Sequence, residues 1–320
     1  EISRKGWGQP AFYNTESIIQ QLLNAGKSIA DARKGGTSGC VETGAFGNEA
    51  YILTGYFNLP KILEITLHNG YDPAAGEPLG LALGKAEDFK SYEELFEAYK
   101  KQILYFLDIK MRGNHVIEGI YARYMPVPLL SVITNDCIAK GKDYNAGGAR
   151  YNTNYLQGVG IGTITDSLAA IKYNVFDKQK FTMSELMQAL NDNFEGHGRI
   201  WNLVSNKTPK YGNDDDYADD IMKDVFSFYY ESVTGRPNMK GGKYRINMLP
   251  TTCHVYFGEV MMASPTDVWP ISLYPKGYPR TKGARCARPY SGSEILLQDG
   301  SSEYRGNSAE PEVYASGGIR

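Results

Sequence analysis

Apolar residues recur at helical spacing on both sides of a glycine-rich stretch near the start of the chain. A helix capped by Thr15 is predicted first, because apolar residues follow it every three or four positions. A second helix is predicted over 48–68, where Pro60 kinks or restarts it and an Asn-Gly pair stops it. The first 70 residues are therefore expected to be two helices joined by a loop.

Helical spacing returns further along the chain. Ser91 and Thr182 each begin a capping box, and the helix that follows Ser91 is predicted to be long and amphipathic. Helices are also expected over 163–173 and 214–233. The second of these opens with an acidic turn, which suits the positive end of the helix dipole.

Short apolar segments separate these helices. Residues 129–138 fit a helix or a strand equally well, whereas 149–152 read as the start of a buried strand. Residues 246–260 predict a strand, an elbow at Pro250, and then a strand or a helix. This alternation predicts an α/β architecture, and periodicity alone leaves open an eight-stranded barrel, an open sheet or a rarer arrangement.

The glycine-rich stretch carries the candidate chemistry. Cys40 and Glu42 lie two positions apart among glycines that permit tight bends, and in an extended segment their side chains face the same side. Together they offer one substrate a sulfur that takes up an atom and a carboxylate that moves a proton. A lone cysteine is also commonly a small buried apolar residue, and a Cys–His hydrolase pairing Cys40 with His254 is a further alternative.

The stretch resembles the cysteine loop of the glycyl radical enzymes, the pyruvate formate-lyase superfamily, and within them most resembles the trans-4-hydroxy-L-proline dehydratase branch. The likeness covers about residues 6–264. The motifs that carry it, in order, are residues 6–10, 38–44, 51–56, 60–64, 162–172, 211–216 and 247–252.

This resemblance implies a fold and a site. The family's fold is a ten-stranded α/β barrel made of two half-barrels, and residues 1–265 would supply roughly the second half-barrel, with the cysteine loop at its centre. Cys40 would carry a thiyl radical and Glu42 would act as general acid and base. Tyr56 and Thr251 would bind substrate, although packing alone would also account for Tyr56 and a proline elbow for Thr251.

The resemblance also implies how the enzyme is activated. No cofactor or metal would be bound directly. A glycine radical, installed by a radical SAM activating enzyme, would oxidise Cys40, but the family's Arg-Val-x-Gly-Tyr signature is absent from this sequence. The expected partners are a small-molecule substrate, the activating enzyme and, for a complete chain, a second copy in a homodimer. Alternatives are another glycyl radical lyase (a diol dehydratase, a C–N lyase, an arylacetate decarboxylase or a formate C-acetyltransferase-like enzyme) and an inactive truncated remnant.

Composition narrows the setting. The 320 residues carry 34 basic and 36 acidic side chains, a net charge of −2, which favours neither nucleic acid nor an anionic membrane as a partner. Scattered cysteines without a CxxC motif, histidines without zinc spacing and no long apolar run favour a reducing cytoplasm. The chain begins without Met, which suggests a processed product or a fragment.

Residues 266–320 are expected to be an out-of-frame tail. They hold 7 Gly, 5 Pro and 7 Ser among 55 residues, without an apolar period long enough for a helix. Back-translated and read one base earlier, residues 288–293 become Gly-Pro-Thr-Ala-Val-Leu, and two later segments also shift into strings similar to the family's continuation. A base lost near Pro265 would produce this pattern and would remove the radical loop.

Overall fold

The computed structural model describes residues 13–38, 41–248 and 253–266, together with the backbone of 293–295 and 315–317. Cys40, Thr251 and most of the predicted tail lie outside the described residues.

The described elements follow one another as an α/β chain. The helices are α1 Thr15–Asn24, α2 Ile29–Ala32, α3 Leu59–Leu67, α4 Tyr92–Tyr124, α5 Pro128–Ile133, α6 Cys137–Lys140, α7 Ile161–Ile171, α8 Met183–Asn191, α9 Gly198–Asn206, α10 Asp216–Val233 and α11 Cys253–Glu259. The strands are β1 Gly36–Ser38, β2 Glu42–Gly44, β3 Glu49–Asn58, β4 Tyr71–Asp72, β5 Glu77–Pro78, β6 Tyr151–Val159, β7 Lys243–Met248, β8 Ser293–Ile295 and β9 Ala315–Gly317.

A parallel sheet of β3, β6 and β7, in that order, is the centre of the fold. The α/β prediction is confirmed by it, and so are the predicted strand starts near residues 149 and 246. The helix predicted over 48–58 is wrong, because this segment is β3. Its aromatic and β-branched residues suit a strand. Gly55 lies in a bulge of the β3–β6 ladder and has φ +132°, a backbone angle that is not compatible with a helix.

Helix starts follow the capping residues with two corrections. Thr182 forms the predicted capping box with Glu185. At Ser91 only half of the predicted box forms: Ser91 accepts a hydrogen bond from the Glu94 N–H at 3.2 Å, but the Glu94 carboxylate accepts from the Lys90 N–H at 2.7 Å. The helix predicted from Thr15 is confirmed as α1, but its cap is Asn14, whose side chain accepts from the backbone N–H of residues 16 and 17. Residues 129–138, for which the sequence did not distinguish a helix from a strand, are mostly helical and form parts of α5 and α6.

Helices cover one face of the sheet and form the core there. Leu156 of β6 and Ile246 of β7 are buried in one apolar cluster with Leu168 of α7 and Tyr229 of α10. Full burial of side chains of this size stabilises the fold by about 1.5–3 kcal/mol each. The other face of the sheet carries polar residues.

Two glycines at the end of β6 permit close backbone packing. A Cβ at Gly158 would lie 2.5 Å from the sulfur of Met248, and one at Gly160, which has φ +88°, would lie 2.6 Å from the Pro60 ring. A tight backbone approach, rather than a phosphate-binding loop, is the prediction for this glycine-rich segment, and the packing confirms it.

An exposed apolar face extends over the second half of α4 and over α5 and α6. Ile117 and Ile120 are 51% and 48% exposed, and Leu129 is 75% exposed. The other members of this face are Val116, Tyr121, Tyr124, Leu130, Val132, Ile133 and Ile138. Exposed apolar side chains in this number are typical of a surface that contacts another polypeptide or tends to aggregate.

Within the predicted tail, β8 and β9 pair antiparallel, and Thr266 is buried against the domain. The prediction of an out-of-frame tail therefore stays a prediction. Among the described helices, none has both the length and the apolar character needed to cross a membrane.

Candidate active site

Glu42 lies on a short hairpin that rests on the polar face of the sheet. The strands β1 and β2 pair antiparallel, with Ser38 opposite Glu42. A Cβ at Gly44 would fall 2.3 Å from the Tyr51 ring. Glycine at this position therefore lets β2 lie directly against β3.

The Glu42 carboxyl group is buried, with 6% of the residue exposed. Its Oε1 accepts a hydrogen bond from Asn247 Nδ2 at 3.1 Å, and its Oε2 accepts one from the Val41 backbone N–H at 3.2 Å. Two donors from different parts of the chain therefore hold this carboxyl group in one place. A buried carboxyl group in a fixed position is suited to moving a proton.

Thr43, the residue after Glu42 in the hairpin, is hydrogen-bonded to Tyr155 of β6. Tyr155 Oη donates to the Thr43 carbonyl at 2.8 Å and lies 3.0 Å from Thr43 Oγ1. The Arg245 guanidinium lies over the Tyr155 ring, 5.9 Å from its centroid. The hairpin is therefore attached to β6 through Thr43 and to β7 through Glu42.

The register of the sheet extends this polar face to Tyr56. Tyr56 of β3 is opposite Gln157 of β6, which is opposite Asn247 of β7. Residues paired across a sheet point to the same face, so the three form one row beside Glu42. The helix-packing interpretation of Tyr56 is wrong, because the residue is on a strand and its side chain is 42% exposed.

A buried ion pair stabilises the end of the hairpin at Ala45. Glu49 pairs with Lys27 at 2.8 Å, and its other oxygen accepts from the Ala45 N–H at 2.9 Å. Because both side chains of the ion pair are almost completely buried, the loss of one partner would leave an uncompensated charge.

A second polar cluster surrounds Asp31. Its carboxylate accepts hydrogen bonds from Tyr151 Oη at 2.8 Å, Ser28 Oγ at 2.9 Å and Asn48 Nδ2 at 2.8 Å. The hydrogen bond from Tyr151, then that from Ser28, and the charge of Arg150 hold the pKa of Asp31 below its ordinary value. This cluster joins α2 to the starts of β3 and β6.

Lys61 fastens the end of the described domain to α3. Its Nζ lies 2.7 Å from Glu64 Oε2, 2.6 Å from Asp72 Oδ1 and 2.6 Å from the carbonyl of Val260. The other oxygen of Glu64 accepts from the Met262 N–H at 2.7 Å. The Lys61 cluster, meaning Lys61, Glu64 and Asp72, therefore anchors the segment that follows Thr251 in the chain.

Sequence reasoning named Glu42 and Tyr56 as candidates, and it did not name Asn247, Tyr155 or Lys61. On β7 polar residues alternate with Tyr244, Ile246 and Met248, so a polar residue at every second position was the available signal for Asn247. Tyr155 had no such signal, because β6 also carries asparagines on its other face. Thr251 and Cys40, the remaining predicted site residues, lie outside the described residues, so their placement stays a prediction.

The other candidate groups have structural surroundings. Burial raises the pKa of the Cys137 thiol, which packs with Ala50 and Ala149 and is not poised to react. His68 and His197 are hydrogen-bonded, to Asn191 and Asp192 respectively. Within the described ranges, no three His, Cys, Asp or Glu side chains are grouped so that they could hold a metal ion.

Comparison with known proteins gives consistent matches. Residues 1–258 match the family model described as pyruvate formate lyase-like. The chain is 65% identical, over 291 residues, to the trans-4-hydroxy-L-proline dehydratase of Clostridioides difficile, covering 91% of this chain and 35% of that protein.

Solved structures give the same picture. The crystal structure of the Clostridioides difficile hydroxyproline dehydratase with trans-4-hydroxy-L-proline bound matches with a TM-score of 0.80 and 69% identity, over 82% of this chain and 34% of that one. The glycerol-bound B12-independent glycerol dehydratase from Clostridium butyricum matches with a TM-score of 0.77 and 37% identity, over 82% and 33%. This chain thus spans about a third of the length of the proteins it matches.

Proposed function

This chain belongs to the pyruvate formate lyase-like family, and from that premise we propose that it is part of a glycyl radical enzyme that dehydrates trans-4-hydroxy-L-proline. The observation that carries the proposal is the 65% identity to the hydroxyproline dehydratase, against 37% to the glycerol dehydratase. The buried Glu42, two positions after Cys40 in the sequence, supports it with a group of the required chemistry.

The proposed architecture is the second half of a ten-stranded α/β barrel with the cysteine loop at its centre. The parallel strands β3, β6 and β7 would be barrel strands, with their polar face turned inward. The hairpin that carries Glu42 already lies on that face, which supports this assignment.

In the proposed reaction, Cys40 begins as a thiyl radical. A glycine radical on a family C-terminal loop, formed by a radical SAM activating enzyme, would have taken the hydrogen atom of the Cys40 thiol. The Cys40 sulfur takes one hydrogen atom from the substrate carbon beside the ring nitrogen. An S–H bond forms, and the unpaired electron passes to that carbon. A radical is needed because acid–base chemistry does not remove an unactivated hydrogen of this kind.

Glu42 then manages the protons. The neighbouring C–O bond breaks with its electron pair on oxygen, Glu42 gives a proton to that oxygen, and water leaves. The ring nitrogen returns a proton to Glu42, and the carbon that lost the hydroxyl recovers a hydrogen atom from Cys40. Hydroxyproline becomes pyrroline-5-carboxylate and one water, without net oxidation, and both residues end as they began.

Tyr56 and Thr251 are proposed to bind the substrate or its leaving hydroxyl. The exposure of Tyr56 and its place in the row with Gln157 and Asn247 support its part. The proposed partners are the substrate, the activating enzyme and a second copy in a homodimer, in the cytoplasm.

The test uses a chimera: the Clostridioides difficile dehydratase with its matching third replaced by residues 1–265 of this chain. It should dehydrate hydroxyproline after activation. Cys40→Ser should abolish turnover while leaving the glycine radical signal, measured by anaerobic electron paramagnetic resonance. Cys137→Ala, which alters a thiol packed away from the site, is the control and should keep turnover. A chimera that bears the radical but converts only glycerol or other diols would refute the substrate, and turnover by Cys40→Ser would refute the mechanism.

Glu42→Gln keeps the size of the side chain and removes its acid–base function. We expect kcat of the chimera to fall about 100-fold or more, the range for a general acid or base, with a smaller change in KM. An unchanged kcat would leave Glu42 as a structural residue of the hairpin.

A further inference from the structure

Asn247 is the side chain that joins Glu42 to the sheet. Its Nδ2 lies 3.1 Å from Glu42 Oε1, and the residue is 1% exposed. The NH₂ group of an amide only donates hydrogen bonds, so Asn247 is the donor and the carboxyl oxygen is the acceptor in this contact. The two partners are 205 positions apart in the chain, so this contact is a product of the fold.

The other end of the same amide is buried without a partner. Asn247 Oδ1 is buried and makes no hydrogen bond with the part of the chain that the structure describes. An unmatched buried acceptor destabilises a fold. This oxygen belongs to a side chain that is hydrogen-bonded to the proposed acid–base group.

The two ends of an amide match the two states of a carboxyl group. Nδ2 donates to a carboxylate, whereas Oδ1 accepts from the O–H of a carboxylic acid. A half-turn about χ2 exchanges the two ends, and this torsion has broad, roughly two-fold minima. Asn247 thus has a hydrogen bond for Glu42 both before and after it takes up a proton.

We propose that Asn247 is the positioning residue of Glu42 and keeps the carboxyl group in one place in both of its protonation states. This rests on the proposed function, in which Glu42 gives and then takes a proton during each turnover. Asn247 acts through Glu42 and needs no contact with the substrate.

The test is a double-mutant cycle in the chimera. Asn247→Leu should lower kcat about 10- to 100-fold, the loss expected for one hydrogen bond to a charged group, with KM changed less than about threefold as for a loss confined to the chemical step. In a Glu42→Gln background the same change should cost less than about threefold, because residues that act as one unit are not additive.

Asn154→Leu is the matched control. Asn154 is fully buried on β6, and its amide also donates to a glutamate, Glu118, at 2.6 Å. It faces the opposite side of the sheet from Gln157, which is paired with Asn247. We expect this variant to lose thermal stability while keeping kcat per radical-bearing enzyme. Should Asn247→Leu fail to acquire the radical, Asn247→Ser, which is smaller and keeps a hydroxyl, takes its place in the cycle.

The outcomes separate the two proposals. If the parent chimera converts hydroxyproline and Asn247→Leu keeps its kcat, or loses it equally with and without the Glu42 carboxyl, Asn247 is not a positioning residue. If the activated parent chimera leaves hydroxyproline unchanged, the proposed function itself is wrong and this role falls with it.

Discussion

Substitution of Lys61 tests whether the Lys61 cluster stabilises the fold by anchoring the segment around Val260 and Met262. The Lys61 ammonium group makes close contacts with two carboxylates and one backbone carbonyl, and the residue is 8% exposed. Lys61→Met keeps much of the side-chain volume and removes the charge. Glu64 and Asp72 would then be buried together without their cation.

The size of the effect follows from this geometry. Removing one partner of a buried ion pair costs about 3–5 kcal/mol, and here one cation serves two anions, so we expect about 4 kcal/mol or more. For a domain of this size, about 4 kcal/mol lowers Tm by about 8–16 °C. Thermal unfolding followed by circular dichroism measures the shift. Hydrogen exchange at Met262, whose N–H is bound by Glu64, should become faster.

Two further variants test the reasoning. Lys61→Met combined with Glu64→Gln and Asp72→Asn removes the stranded charges and should recover more than half of the lost stability. Lys223→Met breaks an exposed pair with Asp220, 3.0 Å long, and should change Tm by less than about 2 °C because exposed pairs contribute little. The explanation is refuted if Lys61→Met lowers Tm by less than about 4 °C, or if the triple variant is no more stable than the single one.

Other predictions concern the Asp31 cluster, the exposed apolar face and the tail. The pKa of Asp31 is lower in the folded state, so its contribution to stability is present above its ordinary pKa of 3.8 and is lost as the pH falls toward the folded value. Asp31→Asn should therefore lower the free energy of unfolding by more at pH 7 than at about pH 3, which denaturant titrations measure. An equal loss at both pH values would refute this. On the exposed apolar face, the double variant Ile117→Lys, Ile120→Lys should reduce self-association of the chain, measured by sedimentation velocity. The control Ile29→Lys, at a residue that is 48% exposed outside this face, should not reduce it. Equal effects of the two variants would refute a role for the exposed apolar face. Resequencing across codons 264–265 should reveal a lost base, and an intact frame with tail peptides in mass spectra of the native protein would refute the out-of-frame tail.

Local signals in the sequence were sufficient for most helices. The capping box at Thr182 and the start of the long helix after Ser91 depend on residues within one helical turn of each other. These interactions are local in sequence, so a short stretch of residues is enough to predict them. The family likeness was equally local, because it rests on short motifs in a fixed order. Glu42 and Tyr56 could be named as candidates for this reason.

Segment 48–58 shows where local reasoning fails. Its apolar residues fit a helical period, yet it forms β3, because pairing with β6 and burial of Phe57 in the core decide its conformation. The signals for a strand, Gly55 and the β-branched residues, were present, but only a partner strand about 100 residues later gives them effect.

The contacts that build the candidate site were decided by tertiary structure alone. Asn247 reaches Glu42 across 205 residues, and Lys61 reaches Val260 across 199. Hydrogen bonds and ion pairs act over a few ångströms, so their partners are set by strand register and helix packing, which no short stretch of sequence contains. The sequence by itself thus named Glu42 as the candidate group for moving a proton, and the fold determined that Asn247 donates a hydrogen bond to it.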